Sequence, residues 1–327
     1  MNSTSSDVSL PPTPAARPGK PAPIPRRVAE VLGPVLRNTD GTGWSVRKLA
    51  DGGQARLFTV EAREAETPPA ADGLIVKVYY GDGVAEREAV RDEYECLRRL
   101  HARLDGTTQH GWRVCCPRPV HLCTRSAALV MTRVPGIPLS RHLASREGPP
   151  SEVLESVARA AVSCLRRYWE GEARLYGDLI LNNILCDLPS RTLSLVDPGM
   201  PEPFYDCAAA PRAWYPASRD LGFLLFWTAS LVRASIPHPV LHARQKRMTG
   251  RILRTFLEGF ESAAERTDAT NEIEACARLH LARMATPLSP QGIWRRLVKR
   301  ATTRTVTRIL RDLREADRMA VSRGRLA

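Results

Sequence analysis

Tyr176-Gly-Asp-Leu-Ile-Leu-Asn-Asn-Ile-Leu-Cys-Asp187, followed at once by Leu188-Pro-Ser-Arg-Thr-Leu-Ser-Leu-Val-Asp-Pro-Gly199, decides how the rest of the chain is read. Four residues separate Asp178 from Asn183, and an apolar Ile184-Leu185 strand follows. A second apolar run, Leu193–Val196, ends in the exposed turn Asp197-Pro198-Gly199. Either aspartate alone reads equally well as a turn former whose side chain caps backbone N–H groups.

Toward the N-terminus the pattern is β-rich. Trp44–Leu49 alternates like a strand, Asp51-Gly52-Gly53 turns, and Ala55–Glu61 resumes, which predicts a hairpin. Glycines in such a turn let backbone N–H groups approach phosphate closely, although an ordinary hairpin turn looks the same. Leu74-Ile-Val-Lys-Val-Tyr-Tyr80 is β-branched and strand-like. Alternation places Ile75, Lys77 and Tyr79 on one face, with Val76 and Val78 on the other. Lys77 must therefore reach solvent at an edge or meet an anion, because a buried unpaired ammonium is costly. Residues 85–104 read as a helix, and residues 120–123 and 127–134 as a second strand pair broken at Thr124-Arg125-Ser126.

After Val134-Pro-Gly-Ile-Pro138 the texture changes. Residues 139–169 are helical in pattern, and from Asp220 onward nearly everything reads as helix. A β-rich half preceding a helical half predicts an α+β arrangement of two lobes. The boundaries drawn are a disordered Pro/Ser-rich tail at 1–27, lobes at 28–133 and 134–290, and a basic helical extension at 291–327. A short helix is expected at Arg27–Arg37, just past a stretch holding seven prolines in its first 25 residues.

Composition narrows the partners. The 327 residues carry 48 Lys+Arg against 35 Asp+Glu, a net +13 that favours anionic partners. The longest apolar stretch, Leu221–Val232, is far short of the about 20 residues a membrane-spanning helix needs. No secretory signal is visible at the N-terminus, and the eight cysteines form no CxxC pair and no zinc-spaced cluster. They read as reduced thiols of a cytoplasmic protein, with Cys115-Cys116 a packed strand or turn.

Taken in order, these features resemble the protein-kinase-like superfamily, most closely its small-molecule branch typified by aminoglycoside phosphotransferases. The resemblance runs from about Trp44 to Phe260. Its sharpest motif is Gly177-Asp-Leu-x-x-x-Asn-Ile-Leu185, with Asp197-x-Gly199 following 19 residues after Asp178. Val130-Met-Thr-Arg-Val-Pro-Gly-Ile-Pro-Leu139 resembles the strand and hinge joining the lobes, and Ser218-Arg-Asp-Leu-Gly-Phe-Leu-Leu225 the helix whose aspartate supports the catalytic loop. The resemblance implies a bilobal fold, a β-rich N-lobe and helical C-lobe with the nucleotide cleft between.

It also implies roles. Phosphoryl transfer needs positioning and charge neutralisation more than covalent help. Gly52 and Gly53 would cover the phosphates of ATP, and Lys77 would hold its α/β-phosphates. A helix glutamate would orient Lys77; Glu93 is chosen because it shares a face with Leu97 and Leu100, over Glu88 and Glu95. Met131, Thr132, Arg133 and Val134 would contact adenine through backbone groups. Asp178 would accept or steer the proton of the attacking hydroxyl. Asn183 and Asp197 would offer the hard oxygen ligands that Mg²⁺ prefers. Asp220 would be structural, bracing the 176–178 turn.

Three departures qualify the match. Tyr176 stands where the family usually has His. Pro198 replaces the Phe of the usual Asp-Phe-Gly motif, which argues for a rigid loop. The glycine turn lacks the full G-x-G-x-x-G. The reading is an ATP- and Mg²⁺-dependent kinase acting on a hydroxyl of a small molecule, such as a glycoside or a lipid-linked saccharide. The alternatives are an atypical Ser/Thr protein kinase and a nucleotide-binding pseudokinase or scaffold.

Residues 291–327 carry ten Arg and one Lys against Asp312, Glu315 and Asp317. Val306, Ile309, Leu310 and Leu313 form an apolar stripe at helical spacing, with Trp294, Leu297 and Val298 before it. Such a helix either docks on the helical half with a solvated basic face or lies on anionic membrane. Nucleic acid is disfavoured, since no nucleic-acid motif accompanies the charge.

Overall fold

The structure, a computed structural model, describes residues 24–36, 44–51, 54–62, 73–145, 148–172, 175–199, 216–234, 239–259, 266–283, 303–304, 306–308, 311 and 315. In chain order its first elements are α1 (Ile24–Leu36), β1 (Trp44–Asp51), β2 (Ala55–Ala62), β3 (Leu74–Tyr79), α2 (Val84–Leu104), β4 (Thr108–Gln109), β5 (Trp112–Cys115), β6 (Pro119–Cys123) and β7 (Ala128–Thr132). Then follow β8 (Ile137–Pro138), α3 (Leu139–Ala144), α4 (Ser151–Glu172), β9 (Ile184–Asp187), β10 (Thr192–Leu195), α5 (Pro216–Ala234), α6 (Pro239–Gly259) and α7 (Arg266–Arg283). This order is α+β, with most of the strands before a helical half. Contacts divide the chain into two compact units. One holds residues to Val90 with Val120–Val130; the other holds Arg91–Pro119 and residues from Met131 onward.

The first unit is built on a five-stranded sheet of order β1-β2-β3-β7-β6. β1, β2 and β3 pair antiparallel, with Val46 opposite Val60 and Leu57 opposite Lys77. Val60, Val76, Val78, Ala128 and Val130 meet Val28, Val31 and Leu32 of α1 in one apolar cluster. The helix begins at Ile24, inside the stretch composition assigns to the tail; Pro25 is tolerated there because first-turn N–H groups have no intrahelical partner. Arg27 sits on this apolar face and is only 1% exposed. Its guanidinium donates to the carbonyls of Ser126 (2.8 Å), Tyr79 (2.7 Å) and Gly81 (2.9 Å). α1 is thereby held to the end of β3 and to the β6–β7 turn.

The second unit has a five-stranded sheet of order β4-β5-β10-β9-β8 and a large helical core. β4 and β5 are additions to what the sequence suggested; β5 pairs parallel with β10, a non-local partner. The helical pattern over 139–169 is two helices, since Pro149 and Pro150 exclude helical backbone just before α4. α5 buries Leu221, Phe223, Leu224, Leu225 and Phe226 against that core. Among the described residues no helix is long and apolar enough to cross a membrane. A Cβ at Gly222 would stand 2.6 Å from Cys276 Cβ and 2.9 Å from Ile273 O, so the close α5–α7 approach requires glycine there. Val306 is 2% exposed and belongs to the same core, while Arg304, Arg308 and Arg311 are exposed. The tail's helical stretch thus docks at Val306; Ile309, Leu310, Leu313, Trp294, Leu297 and Val298 lie outside the described residues, as do 1–23. The seven described cysteines are free thiols. Burial pushes Cys164 and Cys186 up to about 12, which leaves them inert at neutral pH.

Candidate active site

The loop between α4 and β9 is organised by a carboxylate behind it. Asp220, on the first turns of α5, is 1% exposed. Its Oδ2 accepts the N–H of Tyr176 (2.6 Å) and the indole N–H of Trp169 (2.7 Å); its Oδ1 accepts the N–H of Gly177 (2.9 Å). Burial nevertheless dominates and raises its pKa from 3.8 to about 6, against the pull of those donors. Gly177 has φ 97°, a value only glycine adopts without strain, so the chain can turn sharply into Asp178.

Beyond that turn the loop closes on itself. Ile180 N–H donates to Asp178 O (3.0 Å), and Asn183 N–H to Ile180 O (3.0 Å). The Asn183 side-chain amide donates to both Asp178 O (2.9 Å) and Asp178 Oδ2 (3.0 Å). Its two N–H groups are therefore spent on Asp178, and its oxygen is the atom left for a ligand. Val196 N–H donates to Asn183 O (3.0 Å), which carries the register into the Asp197 turn.

That turn is conformationally demanding. Asp197 lies at φ 56° and Gly199 at φ 139°, the first in the left-handed region that non-glycine residues seldom occupy. Gly199 N–H donates to Tyr176 O (2.8 Å), and Gly177 and Gly199 form a parallel bridge. The Tyr176 hydroxyl donates to the carbonyl of Val196. Burial, and then the nearby Asp197, raises the Tyr176 pKa well above its usual value, so the phenol stays a neutral donor. Tyr176 and Asp220 together fasten the Asp178 loop to the Asp197 turn, and Asp178, Asn183 and Asp197 share one hydrogen-bonded frame.

Glu93 belongs to this second unit and is 2% exposed. A Cβ placed on Gly199 would lie 3.8 Å from Glu93 Cβ, so α2 packs on the Asp-Pro-Gly turn at this residue. Of the three glutamates weighed from sequence, Glu88 is exposed and Glu95 is engaged by Arg98 (3.0 Å). Met131 is buried, and Thr132 exchanges hydrogen bonds with Arg118: its N–H donates to Arg118 O (2.9 Å), and its hydroxyl accepts Arg118 N–H (2.8 Å). Its amide is thus committed to Arg118. Lys77 belongs to the first unit, 9% exposed, with Nζ 5.4 Å from the centre of the Tyr79 ring. Gly52 and Gly53 lie outside the described residues. Two contributors were not found from sequence: Trp169, whose indole reaches Asp220 from the end of α4, and the Tyr176 hydroxyl. A tryptophan late in an apolar helix carries no local signal of such a bond.

No family model matches the chain, and no curated protein matches it. Among solved structures, the Mycobacterium tuberculosis PknI kinase domain is similar at 17% identity, covering 72% of this chain and 96% of that one, with a TM-score of 0.42. A double mutant of that domain matches at 16%, covering 72% and 95%, and a single mutant at 18%, covering 73% and 96%, both with a TM-score of 0.42.

Proposed function

We propose that the chain is an ATP- and Mg²⁺-dependent phosphotransferase that moves the γ-phosphate of ATP to a hydroxyl of a small molecule. The observation that carries this reading is the frame in which Asn183 holds Asp178 by its side-chain amide while the same loop is tied to the Asp197 turn. A proton acceptor and two hard oxygen donors, braced from behind by a buried carboxylate, are what phosphoryl transfer asks of a protein.

In this reading the Asp178 carboxylate, its rotation fixed through Oδ2, orients the acceptor hydroxyl and takes its proton. Asn183, through its amide oxygen, and Asp197, through its carboxylate, hold Mg²⁺, which supplies charge neutralisation on the phosphates when bound. One amide and one carboxylate suit an ion that keeps waters and phosphate oxygens in its remaining positions. Lys77 neutralises the α/β-phosphates. Asp220, Trp169 and Tyr176 keep the frame rigid, so little reorganisation accompanies the reaction.

Asp178→Asn tests the reading. Thermal stabilisation by Mg²⁺-ATP is expected to persist, while kcat falls by about 10²–10⁴-fold, the range for loss of a general base. Near-wild-type turnover by Asp178→Asn would reject the assignment. Asp197→Ala is expected to weaken Mg²⁺-dependent nucleotide binding more than Asn183→Ala, because a carboxylate contributes charge and an amide only a dipole.

A further inference from the structure

We propose that Ser194 is a positioning residue for the nucleotide base: from within β10 it fixes Pro135, and with it the Val134 end of the segment that meets adenine, to the strand that delivers Asp197. The inference rests on the phosphotransferase reading, in which Met131–Val134 meets the base, and it adds how that segment is held. Leu193 and Leu195 enter the helical core, so alternation turns Ser194 to the other face of β10. Ser194 is nonetheless fully buried. A hydroxyl shut away from water is costly unless it is bonded, and this one donates to Pro135 O (2.8 Å).

Pro135 is a telling point of anchorage. It has no N–H, so its carbonyl is the backbone group by which it can be held. Its ring also keeps the preceding Val134 out of helical backbone and in extended geometry. Holding Pro135 therefore sets the direction in which Val134 and Arg133 approach it. The two ends of the segment are secured separately. At the near end Thr132 N–H donates to Arg118 O (2.9 Å), and the Thr132 hydroxyl accepts Arg118 N–H (2.8 Å). Beyond Pro135, β8 pairs with β9, Ile137 opposite Cys186 and Pro138 opposite Leu185. Gly136 lies at φ 115°, and a Cβ there would fall 2.9 Å from the Cys186 carbonyl carbon, so the chain runs close against β9. Between these anchors Ser194 supplies the tie at Pro135.

Two functional ends thus share one strand. Ser194 and Asp197 are three residues apart, and between them Val196 N–H donates to Asn183 O (3.0 Å). β10 is itself held on both edges, antiparallel to β9 with Ser194 opposite Leu185, and parallel to β5 with Ser194 opposite Cys115. A strand paired on both sides is a firm reference, and a site built on it keeps its geometry better than one built on a loop. The base-meeting segment is then set against the same strand as the metal-holding carboxylate, which fixes the span that adenine and phosphates must match. Alanine at 194 would keep the strand and its pairing and lose only the tie, because Pro135 is exposed and water can take its carbonyl.

The test measures equilibrium binding of three probes to the full chain, wild type against Ser194→Ala: Mg²⁺-ATP, adenosine without metal, and Mg²⁺-tripolyphosphate. Adenosine reports the base end alone and tripolyphosphate the phosphate end alone. Ser194→Ala is expected to weaken ATP and adenosine by the same factor, about fivefold, the worth of one hydrogen bond, and to leave tripolyphosphate binding unchanged. Ser156→Ala is the control: it removes the acceptor of the Trp112 indole N–H (2.9 Å) in the same unit, and should lower the melting temperature while leaving all three affinities alone. Ser194→Cys, a weaker donor of similar shape, should fall between wild type and alanine, and it decides the question on the same affinities if Ser194→Ala does not fold. Unchanged ATP affinity would overturn the inference, as would an equal loss in Ser156→Ala. Tripolyphosphate weakened along with ATP would also overturn it, since the effect would then lie at Asp197. All three results spare the phosphotransferase reading. Absence of Mg²⁺-ATP binding by the wild type would overturn both.

Discussion

Each unit of the chain has an ionic side chain that water scarcely reaches at a structural junction, Arg27 in the β-rich unit and Asp220 in the helical one, each 1% exposed. They work in opposite directions. The Arg27 guanidinium is a fork of donors, and it spreads them over carbonyls at the end of β3, at Gly81 and in the β6–β7 turn. Asp220 is an acceptor, and it gathers donors from Tyr176, Gly177 and Trp169 onto two oxygens. The fork joins corners of a scaffold; the anion holds one loop, the loop that bears Asp178. Their proton chemistry differs too. Burial lowers the Arg27 pKa, with Asp82 and Glu30 opposing, but guanidinium stays charged throughout the working range. Burial lifts Asp220 to about 6, where it titrates. The brace beneath the candidate site is thus pH-sensitive, and the scaffold clamp is not.

Removing the anion is expected to have the largest effect. Asp220→Asn sets an NH₂ against at least one of the three converging N–H groups, and leaving buried donors unmatched costs about 3–5 kcal/mol. The pH dependence has a definite sign. With its folded pKa raised from 3.8 to about 6, the folded carboxyl holds a proton that the unfolded chain releases. That stabilising contribution is complete below pH about 4 and is lost as pH rises through about 6. The melting-temperature gap between wild type and Asp220→Asn is therefore expected to widen on acidification from 7 to 4. A gap that is flat over that interval would mean that the three donors offset the burial penalty.

Removing the fork comes next. Arg27→Met leaves the carbonyls of Ser126, Tyr79 and Gly81 without their donor, at about 1–3 kcal/mol for each that water cannot reach. Thermal melting and hydrogen exchange at the amides of α1 and β3 would read the loss. Arg27→Lys is expected to recover little, since one ammonium cannot span three carbonyls that a planar fork reaches together. The gap in stability between wild type and either variant should stay flat between pH 4 and 8, in contrast to that for Asp220→Asn.

What the sequence showed of this arrangement follows from how local each signal is. β1, β2, β3 and α2 were readable because alternation and helical spacing act over a few residues, and Leu97 and Leu100 are indeed fully buried with Glu93 beside them. β4 and β5 were not, because β5 owes its place to pairing with β10, far along the chain. The break between α3 and α4 was announced by Pro149-Pro150 and passed over. Arg27 could have been found: it stands four residues before Val31 on the face that Val28 and Leu32 also line, where an arginine needs carbonyls to answer it. Asp220 was expected behind the 176–178 turn, and its oxygens accept from Tyr176 and Gly177; the third donor, Trp169, is 51 residues away in sequence. Distance in the chain, rather than subtlety of chemistry, separates what was legible from what was not.

The smallest expected effect refines the contrast at the candidate site. Tyr176→Phe removes only the hydroxyl that donates to the Val196 carbonyl, a neutral hydrogen bond worth about 1 kcal/mol. The Asp197 turn would still be tied by Gly199 N–H to Tyr176 O and by Val196 N–H to Asn183 O, both backbone bonds that the variant keeps. The melting temperature should therefore fall by only a few degrees, less than for Asp220→Asn or Arg27→Met. Function should register more than stability does, because the lost bond ends one residue from Asp197, already held at φ 56°. A severalfold rise in the Mg²⁺ concentration needed for half-maximal turnover is expected, with the ATP KM at saturating Mg²⁺ nearly unchanged. Since burial and Asp197 keep the phenol protonated well past its usual range, the ratio of variant to wild type should be constant from pH 6 to 9. A ratio that varied with pH would place the effect on another titrating group, Asp220 first, and would make the Tyr176 tie a part of that brace instead of a separate fastening.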